Sequence, residues 1–486
     1  MASPGVGYSA PAVEHSAVNE TQALLQQLAD ARVFSGVVAV QKAGAIVYTG
    51  GYGYAVEELG VPMKAEYIFP LGSQAKFYTT VAIHQLANEG HLNVSHPVAQ
   101  YLDPADFPAL QDRTWCPRVH GRENEGCQNV TVVDLLSMTS GILPSDMGFC
   151  EDLPFSKDWT PDEWYWQYRV TGTHMTYGDA TGATEDYLEG TERLVTLLNR
   201  LRILEMPLLF APNEGWCYDD ANYNIVGYLV EKFSNMSLGE YIQKNVLAPA
   251  NLTDTFYFNG APGKEPSGLR KNMLPVPAYT TDFDGQNPPY RYERTNRYRG
   301  WSGELSFHIG AAGAMFSTAS DSLKWYMTFL VHPELLRLSK SGIKAMITPS
   351  NQPLRWANGT INPSTKDASG FAQGMSTHGT PGSPHGIEFT GGQWGFMVNT
   401  RIFQDDSDWA QSDGVAVFVN STPHIPNSSK CAVVSPRDNS TVALPEAICG
   451  RLNDEATSLT DYISSELAAI WNITREDSPA SPAAVG

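Results

Sequence analysis

Strand-like runs stand at the two ends of this chain and helix-like runs fill its middle, so a sheet can form only if segments distant in sequence meet. Near the N-terminus, SGVVAVQKAGAIVYTGGYGYA, beginning at Ser35, holds two valine-rich runs around Lys42, Ala43 and Gly44, the composition of a hairpin and its turn. Strand-like runs return at GFMVNTRIF and DGVAVFVN, close to the other end. Between them, AKFYTTVAIHQLANEG carries apolar residues at helical spacing and ends on Gly90, a residue suited to a helix C-terminus. HIGAAGAMFSTASDSLKWYMTFL reads as a glycine-rich turn and an amphipathic helix, and TSLTDYISSELAAIWN as a terminal helix. The pattern predicts an α/β (α+β) fold, an antiparallel sheet flanked by helices with a mostly helical domain inserted. The α/β domain takes residues 18–85 and 302–475, and the inserted domain residues 86–301. Segments 1–17 and 476–486 lack periodicity and are predicted to be mobile. The stretch YTTDFDGQNPPYRYERTNRYRGW is expected to be a long loop beside the cleft between the domains.

Charge and composition exclude several classes of partner. With 32 Lys and Arg against 52 Asp and Glu, the formal charge is -20, which repels nucleic-acid phosphates and anionic membranes. No apolar run reaches the length of a membrane span. Cys and His at zinc spacing are absent, and no metal or cofactor is called for. The opening MASPGVGYSAPAVEH lacks the apolar core of a signal peptide. Even so, Asn-x-Ser/Thr acceptors recur at Asn19, Asn93, Asn129, Asn235, Asn251, Asn358, Asn420, Asn427, Asn439 and Asn472, an excess over chance. The cysteines are even in number. Cys116 with Cys127 and Cys431 with Cys449 are close in sequence and are the preferred pairs, leaving Cys150 with Cys217, among fifteen connectivities open to six cysteines. The expectation is a glycosylated protein of the eukaryotic secretory pathway whose leader is absent from this sequence.

Ser73-Gln74-Ala75-Lys76 brings chemistry. Three residues apart on a helix, a serine and a lysine share a face, and a serine at the helix start also feels the positive end of the dipole. Such a pair activates a nucleophile, yet Ser341-Gly342-Ile343-Lys344 has the same spacing, so the pattern needs context.

The context is a resemblance. The run YIFPLGSQAKFYTTVAIHQLANEGHLNVSHPVAQYL resembles the nucleophile region of the serine β-lactamase and penicillin-binding-protein superfamily, above all class C β-lactamases and related esterases. Four more segments agree in order: VTVVDLLSMTSGI, the long segment from LLFAPNEGWCYDDANYN to NLTDTFY, GAAGAMFSTASDSLKWY, and EFTGGQWGF. The resemblance implies that Ser73 is the nucleophile, with Lys76 and Tyr218 as proton-handling partners. It also implies oxyanion-hole N–H groups at Ser73 and Gly392. Two motifs depart from the pattern. Where the family has Tyr-x-Asn, this chain has Tyr218, Asp219 and Asp220, and a carboxylate cannot donate as an amide does. Asp220 either pairs with Lys76, which favours Tyr218 as the base, or caps the helix that follows. Where the family has a cation, a hydroxyl and a glycine, the chain has Phe389, Thr390 and Gly391, and His385 lies nearby. The missing cation argues against recognition of penicillin or peptide carboxylates. Asp220, Phe389, Thr390, Gly391 and Trp394 are the expected substrate-side residues, with Phe389 and Trp394 suiting an uncharged acyl group. A serine esterase or lactonase is therefore expected, acting on a small ester, lactone or amide. The alternatives are a D-amino-acid peptidase or amidase, an acyltransferase, or an inactive binding protein of the same fold.

Overall fold

Both faces of the first valine-rich run are apolar, and a strand of that kind is stable only when each face is covered. A computed structural model of the chain describes residues 14–119, 121–142, 194–201, 203–258, 279–281, 290–294, 310–350, 370–380, 383–393, 396–405, 408–422, 432–434, 441–443 and 459–473. Helix α1 (His15–Asp30) leads into the hairpin of β1 (Gly36–Lys42) and β2 (Ala45–Tyr52), and α2 (Ala75–Asn88) follows. Next come α3 (Val132–Leu136), α4 (Leu194–Leu201), α5 (Asp220–Ser234) and α6 (Ala319–Val331). Strands β3 (Ser376–Thr380), β4 (Ser383–Gln393), β5 (Phe396–Asp405) and β6 (Asp408–Val419) precede α7 (Leu459–Ile470). The main sheet runs β3-β4-β5-β6-β1-β2 with every neighbour antiparallel. Its junction of the two chain ends is β1 against β6, with Val38 opposite Val417.

Alternation along β1 and β6 sorts their side chains between two cores. Val38, Val40, Val415 and Val417 pack with Leu25, Leu28, Ile463, Leu467 and Trp471 of the α1 and α7 layer. Val37, Ala39, Ala416 and Phe418 face the larger core shared with α2, α5 and α6. The hairpin turns at Ala43 and Gly44, both at positive φ, as the Lys-Ala-Gly signal predicts.

Two expectations need correction. Helix α1 begins at His15 and buries Ala17, so order starts inside the segment 1–17 expected to be mobile. The expected long loop contains paired strands, with Tyr279 opposite Arg294 and Thr281 opposite Tyr292. Alternating Tyr, Arg and Thr residues favour extended backbone there over a structureless excursion. The tail 476–486 lies outside the described residues.

A buried ionic network ties α7 to the sheet. Glu388 of β4, 2 % exposed, accepts from Arg401 of β5 at 2.6 Å and from Asn399 at 2.8 Å. Arg401 also pairs with Asp461 of α7. Replacing Arg401 by Leu removes the guanidinium that balances the buried Glu388 charge, which costs about 3–5 kcal/mol. A urea titration should show that loss as a lower midpoint; a midpoint equal to wild type would mean Glu388 finds another partner.

Candidate active site

The turn before α2 has to pass a serine over the sheet with almost no clearance. Gly72, Ser73 and Gln74 form a 3₁₀ turn that continues directly into α2, and Gly72 sits at φ +51°. The turn lies against β4 so closely that a Cβ on Gly391 would stand 1.8 Å from the Leu71 carbonyl oxygen and 3.1 Å from the Ser73 nitrogen. A Cβ on Gly72 would stand 3.1 Å from the Gly392 nitrogen. The backbone nitrogens of Ser73 and Gly392 therefore belong to two segments in direct contact. Gln74, fully buried, stitches them by donating to the Phe389 carbonyl at 3.0 Å and accepting from Ser322 at 3.3 Å.

Lys76 is wholly buried one turn further along. Its ammonium donates to Ser73 Oγ at 3.1 Å and to the Ala312 carbonyl at 3.2 Å, and it pairs as an ion with Asp220 Oδ1 at 2.6 Å. It also lies 4.6 Å from the centre of the Tyr218 ring and 5.9 Å from that of Tyr223. Burial alone pushes a lysine toward its neutral form, but the Asp220 carboxylate and Tyr218 outweigh that and raise Lys76 above its ordinary value. The matching pair Ser341 and Lys344 is exposed on a short helix.

Tyr218 arrives on a loop pinned to the segment after α3. The Cys217 nitrogen donates to the Met138 carbonyl at 3.0 Å, and Asp134 accepts from Asn213 at 2.6 Å and from Thr139 at 3.3 Å. The Tyr218 hydroxyl reaches the side chains of Lys76 and Ser73. Burial, the largest influence, raises it above the ordinary tyrosine value; Lys76 and Ser73 oppose this and Asp220 adds to it. Asp219 caps α5 by accepting from the Ala221 nitrogen at 3.0 Å. Of the two readings open to Asp220, the pair with Lys76 is what the geometry shows, and its neighbour supplies the cap.

The third motif departs from expectation. Phe389 is 3 % exposed, with its ring 5.2 Å from Phe77 and 4.9 Å from Tyr326, so it packs α2 and α6 against β4 and presents no surface to an acyl group. Strand alternation sends Gly391 to the same side and Thr390 to the other. Thr390 is partly exposed opposite Asn399, and Gly392 is exposed. Trp394 lies outside the described residues, as do Cys150, Cys431 and Cys449. The Cys116–Cys127 disulfide is present with Cα atoms 4.9 Å apart, and Cys217 is disulfide-bonded.

Several site residues escaped the sequence reading. Trp216 and Phe371 form a cluster of rings with Tyr218, at 6.2, 5.5 and 6.0 Å. Asn224 accepts from the Ala311 nitrogen at 3.1 Å and Thr79 donates to its carbonyl at 2.8 Å, together fixing the turn whose next carbonyl serves Lys76. Trp216, two residues before Tyr218, carried a local signal, whereas Phe371 lies far along the chain and carried none.

The Beta-lactamase family model matches residues 21–432. Penicillin-binding protein 4* of Bacillus subtilis is 26% identical over 238 residues, 49% of this chain and 41% of that protein, so the match spans under half of that relative. Esterase EstB of Burkholderia gladioli is 24% identical over 324 residues, 64% of this chain and 69% of the esterase. The structure of the octameric penicillin-binding protein homologue from Pyrococcus abyssi superposes with a TM-score of 0.57 at 21% identity, covering 83% of this chain and 73% of that one, which shows a shared fold.

Substituting Gly391 by Ala forces a side chain into the Leu71 carbonyl and should cost about 1–3 kcal/mol of overpacking strain. Thermal unfolding checks the loss, and the reactivity of Ser73 toward an electrophilic probe should fall with it. Unchanged stability and reactivity would mean the turn has slack that the geometry denies.

Proposed function

Since the chain belongs to the Beta-lactamase family, within the serine hydrolase superfamily, we propose that Ser73 is the nucleophile of a two-step acyl transfer whose substrates are esters or lactones. The observation that carries this reading is the 3.1 Å contact between Lys76 and Ser73 at the start of α2, with Tyr218 beside both. Ser73 attacks the carbonyl and forms an acyl-enzyme, and water or another acceptor releases the acyl group. The backbone N–H groups of Ser73 and Gly392 receive the oxyanion, a role that needs no side chain. Tyr218 gives its proton to the leaving group. The third motif supports an uncharged substrate: its first residue is a core phenylalanine, so no cation from that position meets a carboxylate.

A fluorophosphonate probe should add once, at Ser73, with no adduct in Ser73→Ala and slower addition in Lys76→Ala. Intact-mass measurement and peptide mapping decide this. Failure of the wild-type protein to react where a known serine esterase reacts would favour the inactive binding protein. Among substrates, kcat/KM for a neutral short-chain ester should exceed that for its carboxylate-bearing counterpart by at least about tenfold. The opposite preference would overturn the reading of the third motif.

The secretory pathway is the proposed location. Supporting it, Cys116–Cys127 is paired, and the acceptors Asn19, Asn93, Asn129, Asn235, Asn251 and Asn472 are exposed. Asn420 is fully buried, donating to the carbonyls of Tyr54 and Ala55 at 3.3 and 3.2 Å. Protein from a eukaryotic secretory host should lose mass on treatment with an N-glycosidase, with the exposed sites deamidated and Asn420 unmodified. A glycan on Asn420, or none at the exposed sites, would contradict the assignment.

A further inference from the structure

We propose that Ser73, Lys76 and Asp220 form one proton chain, in which Asp220 is the residue that holds the proton while Ser73 attacks. The proposal rests on Ser73 being the nucleophile and goes beyond it in naming where the proton goes. As an ammonium, Lys76 has no lone pair, so it takes the serine proton only by giving one up. Of three oxygens close to its ammonium, the Ser73 hydroxyl is the source of the proton and the Ala312 carbonyl does not hold one. The third, Asp220, does, and at 2.6 Å it is also the nearest. The other groups facing Lys76 are the Tyr218 hydroxyl, which also reaches Ser73, and the rings of Tyr218 and Tyr223. Tyr223 is committed, donating to the Leu136 carbonyl at 2.8 Å. Tyr218 is kept protonated by burial, and a phenolate there would lie beside the Asp220 carboxylate. The family pattern places an amide at position 220, which accepts from a lysine but cannot store a proton. The aspartate is thus a property of this chain.

The step balances. The Ser73 Oγ–H bond breaks as Oγ bonds to the acyl carbon, the proton moves to Lys76 Nζ, and Lys76 passes another to Asp220 Oδ1. The carbonyl π pair becomes the oxyanion. When the bond to the leaving group breaks, the departing oxygen takes the Tyr218 proton, Tyr218 is refilled from Lys76, and Asp220 returns its proton to Lys76. A nucleophile, a base and a third group that orients and charges the base are the parts of a triad, built here from serine, lysine and aspartate. Asp220 acts through Lys76 and is a positioning residue rather than a catalytic one.

The test is the pH dependence of Ser73 acylation by a p-nitrophenyl ester, followed in the first turnover for wild type, Asp220→Asn and Asp220→Glu. The asparagine keeps an acceptor for Lys76 but not the proton store, so acylation should fall on the order of 10²–10⁴-fold. Its pH profile should also gain a rising limb, because burial without the carboxylate favours a neutral Lys76. The glutamate should recover part of the loss without the new limb. Acylation by Asp220→Asn at the wild-type rate with the wild-type profile overturns the proposal. So does a glutamate variant slower than the asparagine one at equal folded fraction by circular dichroism. If Ser73→Ala acylates as fast as wild type, it is the nucleophile assignment that fails, and the two failures are told apart.

Discussion

A lysine with no exposure to solvent has to be compensated on every side, and the architecture around Lys76 is the means. Removing an ammonium from water costs several kcal/mol after relaxation, which only close acceptors offset. The groups that compensate it come from different parts of the chain: Ser73 from the turn it shares, Ala312 from the segment before α6, and the Asp220 carboxylate from the start of α5. Each is fixed in turn by buried polar groups. Asn224 and Thr79 hold Ala311, and Asp219 caps the helix that Asp220 opens. Folding correctly and assembling the site are, on this account, one event: a chain that misplaces any of the three segments leaves a charge buried without a partner.

Sequence made the linear parts of this arrangement readable. Ser73 and Lys76 lie on one helix, and the hairpin, the late strands and the Cys116–Cys127 pair are all signals of short range. Asp219 and Asp220 were ambiguous because adjacent carboxylates at a helix start are equally good caps on paper, and only the direction of each side chain decides between them. Phe389 was misread for a related reason. Strand periodicity says that Phe389 and Gly391 share a face and Thr390 takes the other, but not which face looks into the core. The aromatic residues of α2 and α6 that receive Phe389 belong to distant segments whose meeting no local pattern announces. Phe371 and the buried network of Glu388, Arg401 and Asp461 are likewise contacts made by tertiary packing alone.

The two departures from the family pattern have one electrostatic meaning. In the pattern, the lysine beside the serine and the cation of the third motif both stand near the reacting carbonyl, and the second motif adds a neutral amide. Positive charge is left over there to meet a carboxylate. Here Asp220 opposes Lys76 directly, and Phe389 replaces the other cation and withdraws into the core. The charges of Lys76 and Asp220 oppose one another within the site. A formal charge of -20 offers an anionic substrate no long-range attraction. On the proposed function, the oxyanion N–H groups act on any acyl carbonyl, whatever its charge. The same substitution that removes the amide donor at position 220 places a proton acceptor on the lysine. Loss of one recognition element and gain of a proton-handling one are therefore a single change at a single residue.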